Sequence, residues 1–106
     1  MSSLGANDGT PPGGFTTRAL HTRPRVADSH GSLRTPVYDS AAFEFASADD
    51  MQAAFEGRRP GHAYSRISNP TVEDYELRVT ALADALGTIA VSSGMAAITA
   101  VVMALA

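Results

Sequence analysis

From Ile89 to Ala106 the chain carries no charged residue, and Ser92-Ser93-Gly94 interrupts this run near its start. A stretch so apolar must be covered by something, so it constrains the fold more than any other part of the sequence. Its length touches the lower limit for a membrane span. However, it is rich in Ala, Ser, Gly and Thr, and no aromatic or basic anchor flanks it. The better reading is strand, turn and helix. Thr88 to Val91 is a short β-favouring run, expected to be a buried strand. Ser92-Ser93-Gly94 is the turn, and Met95 to Ala106 is apolar on every side, which suits a helix buried between a sheet and its neighbours. That helix reaches Ala106 without a cap or a polar end, so the chain reads as a truncated piece.

The front of the chain has the opposite character. Residues 1–14 are Ser, Gly, Asn, Asp, Thr and Pro with almost nothing apolar, and are expected to be disordered. Residues 15–46, with Pro24 and Pro36 and little periodicity, read as an extended arm. Only the part from Phe43 onward looks able to pack, and a core of that size is marginal by itself. Ser47 followed by Asp50 resembles a helix start. Asp49-Asp50 then serves the positive helix end rather than forming a catalytic pair, Met51, Ala54 and Phe55 share a face, and Gly57 is the stop. After a loop over 58–69, Asn69 can cap a second helix and Pro70 suits its first turn. Val72, Tyr75, Val79, Leu82 and Leu86 recur at spacings of three and four, Asp74 and Arg78 can pair, and Gly87 is the expected end.

Composition excludes several functions. The net charge of −3 has the wrong sign for nucleic acid binding. Without cysteine there are no disulfides, thiolate metal sites or cysteine nucleophiles. No basic region precedes an apolar run at the N-terminus, so a cytoplasmic location is the default. His21, His30 and His62 are dispersed in loops and read as solvated side chains, not as a metal site. Arg58-Arg59 reads as a solvated loop pair. There is no lysine; all eight basic residues are arginine.

Two motifs carry chemistry. Where a strand gives way to a helix at Ser92-Ser93-Gly94-Met95, the first helical N–H groups have no internal partner and point outward together. With the helix dipole they form a cradle for a phosphate, and Gly94 leaves room for close approach. An ordinary strand-to-helix turn uses the same small residues. In Tyr64-Ser65-Arg66, arginine offers a planar fork of donors and the tyrosine a hydroxyl. If the segment is extended, these two side chains project to the same side and converge on one anion. A surface loop with an exposed arginine has the same letters.

Order and wording join the two. His62-Ala63-Tyr64-Ser65-Arg66-Ile67-Ser68-Asn69-Pro70-Thr71, then a helix, then Ala90-Val91-Ser92-Ser93-Gly94-Met95-Ala96-Ala97-Ile98 resembles the Cys/Met-metabolism (trans-sulfuration) family of pyridoxal-phosphate (PLP) enzymes. Thr17-Arg18-Ala19-Leu20-His21, Thr35-Pro36-Val37-Tyr38 and Phe43-Glu44-Phe45 resemble the family's N-terminal arm, so the likeness covers Phe15 to Ala106. One departure is Leu82-Ala83-Asp84-Ala85, where many members have Leu-Glu-Gly-Gly.

The resemblance implies an α/β fold, of which this chain would be the N-terminal arm and the incomplete start of the large PLP-binding domain of a fold-type I (aspartate aminotransferase-like) enzyme. It implies that 15–46 is an inter-subunit arm carrying Tyr38 and that 47–106 holds the helices and the first strand-turn-helix. It implies PLP as cofactor, with Gly94 and Met95 binding the phosphate through backbone N–H groups, and Tyr64 and Arg66 reaching it from the neighbouring subunit. The Schiff-base lysine, the ring-stacking tyrosine and the pyridine-binding aspartate of the family have no counterpart here, so no catalytic residue is assigned and the chain alone is expected to be inactive. The activities implied are replacement of acetate on O-acetylhomoserine by a sulfur nucleophile, giving homocysteine in methionine biosynthesis, or the synthase and lyase reactions on cystathionine and methionine of the same family. The complete enzyme would be a homodimer or homotetramer with neither membrane nor nucleic acid partners. A reading of another class is a non-catalytic phosphate-binding module or an inert product.

Overall fold

The structure, a computed structural model, describes residues 13–22 and 27–106. These form four helices: α1 (Phe15–His21), α2 (Ala48–Phe55), α3 (Pro70–Ala83) and α4 (Gly94–Leu105). The expected disorder of 1–14 falls, up to residue 12, outside the described residues. The described chain divides into two compact units, one of 27–74 and one of 13–22 with 75–106.

In the first unit, α2 starts where Ser47 caps it, its side chain accepting from the Asp50 N–H at 3.1 Å. It ends in a Schellman turn. Gly57 takes φ +71°, its N–H donates to Ala54 O at 3.1 Å, and the Arg58 N–H donates to Ala53 O at 2.8 Å. α2 supplies the one apolar side chain that is buried among the described residues, Ala53. Gly61 passes close to it: a Cβ there would lie 3.2 Å from Ala54 Cβ and 3.3 Å from Phe45 Cε1. The preceding segment then pairs with the loop. Ala42 and Tyr64 form an antiparallel bridge, flanked by Phe43 N–H to Ala63 O at 3.0 Å and Ser65 N–H to Ala41 O at 2.8 Å. Arg58 and Arg59 are not merely solvated, since they pair with Glu56 and Asp50.

In the second unit, Phe15–His21 is helical where an extended path was expected. Seven residues without a side-chain cap do not hold a helix by themselves. Here α3 secures it: Arg18 donates to Ala81 O at 3.0 Å, and Arg78 donates to Ala19 O. α3 begins as expected, with Asn69 Oδ1 accepting from the Thr71 N–H at 2.8 Å. It stops before Gly87, however. Asp84 adopts φ +52° and the Ala85 N–H reaches back to Thr80 O at 3.1 Å, which is the closing bond of a Schellman turn. Asp84 thus holds a left-handed position that usually falls to glycine. Leu86 falls outside the helix and is fully exposed.

Thr88–Val91 forms no strand, correcting the expected buried one; the described residues contain no neighbouring strand to complete a ladder. Side chains of α3 take part of that role. The Ala90 N–H donates to Glu76 Oε1 at 2.7 Å, and Thr80 and Thr88 share a hydroxyl bond of 2.8 Å. α4 forms where expected, capped by Ser93, whose Oγ accepts from the Ala96 N–H at 3.1 Å. It is not buried: Met95, Ile98, Val101, Val102, Met103 and Leu105 are all more than half exposed.

Candidate functional site

The sequence nominates two pairs of residues, and they stand in different compact units. Gly94 and Met95 open α4. Ala97 N–H is bonded to Ser93 O at 3.2 Å and Ala96 N–H to Ser93 Oγ at 3.1 Å, so Ser93 satisfies the third and fourth donors of the helix. No described residue accepts from the N–H of Gly94 or Met95. Those two donors, at the positive end of a twelve-residue helix, are what an anion binds. A Cβ built on Gly94 meets nothing within 4 Å, so the space before the helix is open. The donor set and the open space fit a phosphate.

Tyr64 and Arg66 are brought together, though not by alternation along an extended strand. Tyr64 is bridged to Ala42, and the chain then turns, with the N–H groups of Ile67 and Ser68 donating to Tyr64 O at 2.9 and 3.1 Å. The turn folds the Arg66 guanidinium over the Tyr64 ring, 5.2 Å from its centroid. Arg66 pairs with no carboxylate among the described residues and is exposed, so its donor fork stands open to a ligand.

Around this turn lie contacts that the sequence did not announce. Asn69, 8% exposed, does more than cap α3: its Nδ2 donates to Tyr38 O and to Ser65 Oγ, both at 3.0 Å. Thr71 Oγ1 accepts from the Tyr38 N–H at 2.9 Å and donates to Pro36 O at 3.1 Å. Ser65 Oγ donates to Ser40 O. His62, expected to be solvated, is half-buried instead. Its Nδ1 lies 2.9 Å from Ser68 Oγ, its Nε2 lies 3.1 Å from Glu73 Oε2, and its ring packs 6.0 Å from that of Phe43. Nothing in a lone histidine predicts such partners.

Tyr38, the arm residue, meets Asp28. The phenol donates to Asp28 Oδ1 at 3.2 Å, while the other carboxylate oxygen accepts from the N–H groups of His30 and Ser32 at 3.0 and 3.1 Å. The backbone donors, led by Ser32, hold the Asp28 carboxyl below the ordinary range. Partial desolvation, then the bond to Asp28, raises the Tyr38 phenol. No group of three His, Cys, Asp or Glu gathers for a metal among the described residues, and no helix there is long and apolar enough to cross a membrane.

A family model for Cys/Met metabolism PLP-dependent enzymes matches residues 16–106. An L-methionine gamma-lyase of Pseudomonas putida is 44% identical over 86 residues, covering 81% of this chain and 22% of the relative. An O-acetyl-L-homoserine sulfhydrylase of Corynebacterium glutamicum is 39% identical over 93 residues, covering 88% and 21%. Among solved structures, one provisionally titled an O-acetylhomoserine (thiol)-lyase, from Campylobacter jejuni, superposes with a TM-score of 0.79 at 33% identity, covering 90% of this chain and 23% of that one. It contains N'-pyridoxyl-lysine-5'-monophosphate. The chain therefore spans about a fifth of the length of these relatives.

Proposed function

The chain belongs to the Cys/Met metabolism family of PLP-dependent enzymes, and on that premise we propose that it supplies both halves of the family's grip on the cofactor phosphate. Its fold is that of the N-terminal part of a fold-type I PLP enzyme, and its cofactor is pyridoxal phosphate. The observation that carries the proposal is the pair of N–H donors left open at Gly94 and Met95. They donate to phosphate oxygens, and the dipole of α4 adds partial positive charge. Ser93 keeps the helix start wound so that both donors stay aligned. Arg66, stacked on the Tyr64 ring, brings its fork, and Tyr64 its hydroxyl, to the phosphate of a neighbouring copy. Such sharing requires at least a homodimer.

PLP supplies an electron sink conjugated to the α carbon of an amino acid substrate. The residues here hold and orient that group; they transfer no proton. The reaction proposed is replacement at the γ carbon of O-acetylhomoserine, where acetate leaves and a sulfur nucleophile adds to give homocysteine. The Corynebacterium glutamicum and Campylobacter jejuni relatives support it. A second reading, elimination from methionine in which water is consumed and an oxo acid, a thiol and ammonia are released, is favoured by the 44% identity to the Pseudomonas putida lyase. The test uses the natural-length gene product carrying this segment, loaded with PLP and offered O-acetylhomoserine with sulfide, or methionine alone. Homocysteine from the first supports the replacement reading. An oxo acid from methionine, with no homocysteine from the first, overturns it in favour of the lyase.

A further inference from the structure

Asn69 is one of two buried polar residues among those described. Its amide orientation follows from its partners: Tyr38 O can only accept, so Nδ2 faces it, and the Thr71 N–H can only donate, so Oδ1 faces that. The two ends of the side chain therefore do different work. Oδ1 caps α3 at 2.8 Å, and Nδ2 ties the segment around Tyr38 to Ser65 Oγ, each at 3.0 Å. Ser65 sits between Tyr64 and Arg66. Its N–H is already bonded to Ala41 O at 2.8 Å and its hydroxyl to Ser40 O, so Asn69 completes the fixing of that residue.

We propose that Asn69 is a positioning residue for the anion site: through Ser65 it sets where the Tyr64 hydroxyl and the Arg66 fork stand, separately from its capping of α3. The inference rests on the reading that Arg66 holds a cofactor phosphate. Asp is as good a helix cap as Asn but cannot donate, so Asn69→Asp removes the positioning bonds and keeps the cap.

The experiment measures binding of pyridoxamine 5'-phosphate and of pyridoxamine to the natural-length gene product; neither bonds covalently to a lysine, and they differ only by phosphate. Asn69→Asp is expected to weaken the phosphorylated probe about tenfold, to leave pyridoxamine unchanged, and to leave helical circular dichroism unchanged. In an Arg66→Ala background its effect is expected to shrink, because the part that passes through Arg66 is already lost. Ser65→Ala cuts the same link from the other side without touching the cap, and serves if Asn69→Asp does not fold. If Arg66→Ala leaves the phosphorylated probe unaffected, the phosphate reading falls and takes this inference with it. If Arg66→Ala weakens it while neither Asn69→Asp nor Ser65→Ala does, only the positioning role is overturned. An undiminished effect of Asn69→Asp in the Arg66→Ala background also overturns it.

Discussion

Replacing Arg66 by alanine tests the phosphate site most directly. In the structure Arg66 stacks on Tyr64 at 5.2 Å and makes no ion pair with a described residue, so its removal breaks no salt bridge among the described residues. The change should therefore cost little stability, within about 0.5 kcal/mol as for other surface positions. Its loss should fall on the ligand. A charge-assisted hydrogen bond contributes about 1.5–3 kcal/mol, and about 1.4 kcal/mol is tenfold in affinity. PLP affinity should drop by roughly tenfold to a hundredfold. Arg66→Lys keeps the charge but loses the planar fork and most of the stacking, so it should recover only part. Equilibrium dialysis with PLP gives the affinities and thermal unfolding of the apo form the stability. Sharing between subunits is read by mixing, at a PLP concentration too low to load the Arg66→Ala protein: that protein is combined with a variant lacking the Schiff-base lysine, so that neither turns over alone. If one phosphate is held by two chains, mixed dimers regain a working site. No recovered activity despite proven subunit exchange would refute the shared site, and unchanged PLP affinity in Arg66→Ala would refute the assignment of Arg66 altogether.

Gly94→Ala separates space from conformation. Gly94 has no positive φ and its Cβ direction is open, so the helix should form at least as well, yet the methyl occupies the space proposed for the anion. Weaker PLP binding at unchanged or raised melting temperature is expected, and a lowered melting temperature with intact binding would contradict it. The Asp28–Tyr38 contact should respond at both ends of the pH range. Asp28 is depressed, so its contribution is present above the ordinary carboxylate value and is lost as pH falls through its own lower value. Tyr38 is raised, so its contribution is lost as pH rises through a value above the ordinary phenol range. Ultraviolet titration, with Tyr38→Phe as the difference standard, should show that phenol ionising late, and Asp28→Asn should move it part of the way back, because desolvation remains. Residues 1–106 alone expose the apolar side chains of α4 and contain no lysine; they should bind a hydrophobic dye, self-associate and show no turnover. A sharp, reversible two-state transition of a monomer would contradict the first part, and stoichiometric turnover the second.

The starts of α2, α3 and α4 were legible because a cap closes within a few residues. Ser47 meets the Asp50 N–H, Asn69 the Thr71 N–H and Ser93 the Ala96 N–H, and each is a pattern written in adjacent letters. The end of α3 misled because aspartate at 84 took the left-handed position that a reader assigns to Gly87. The candidate residues were legible as motifs, but their geometry was not. Tyr64 and Arg66 meet through a turn and a cation–ring contact, and the turn itself is held by Ala41, Ser40 and Asn69. The same holds for His62 with Ser68 and Glu73, for α1 against α3, and for Glu76 on the Ala90 N–H. Local hydrogen bonds are set by neighbours in the chain, so the sequence alone determined where α2, α3 and α4 begin. A strand at Thr88–Val91, the helix at Phe15–His21 and the second role of Asn69 each depend on partners distant in sequence. No periodicity encodes such partners, and only the folded chain brings them within bonding distance.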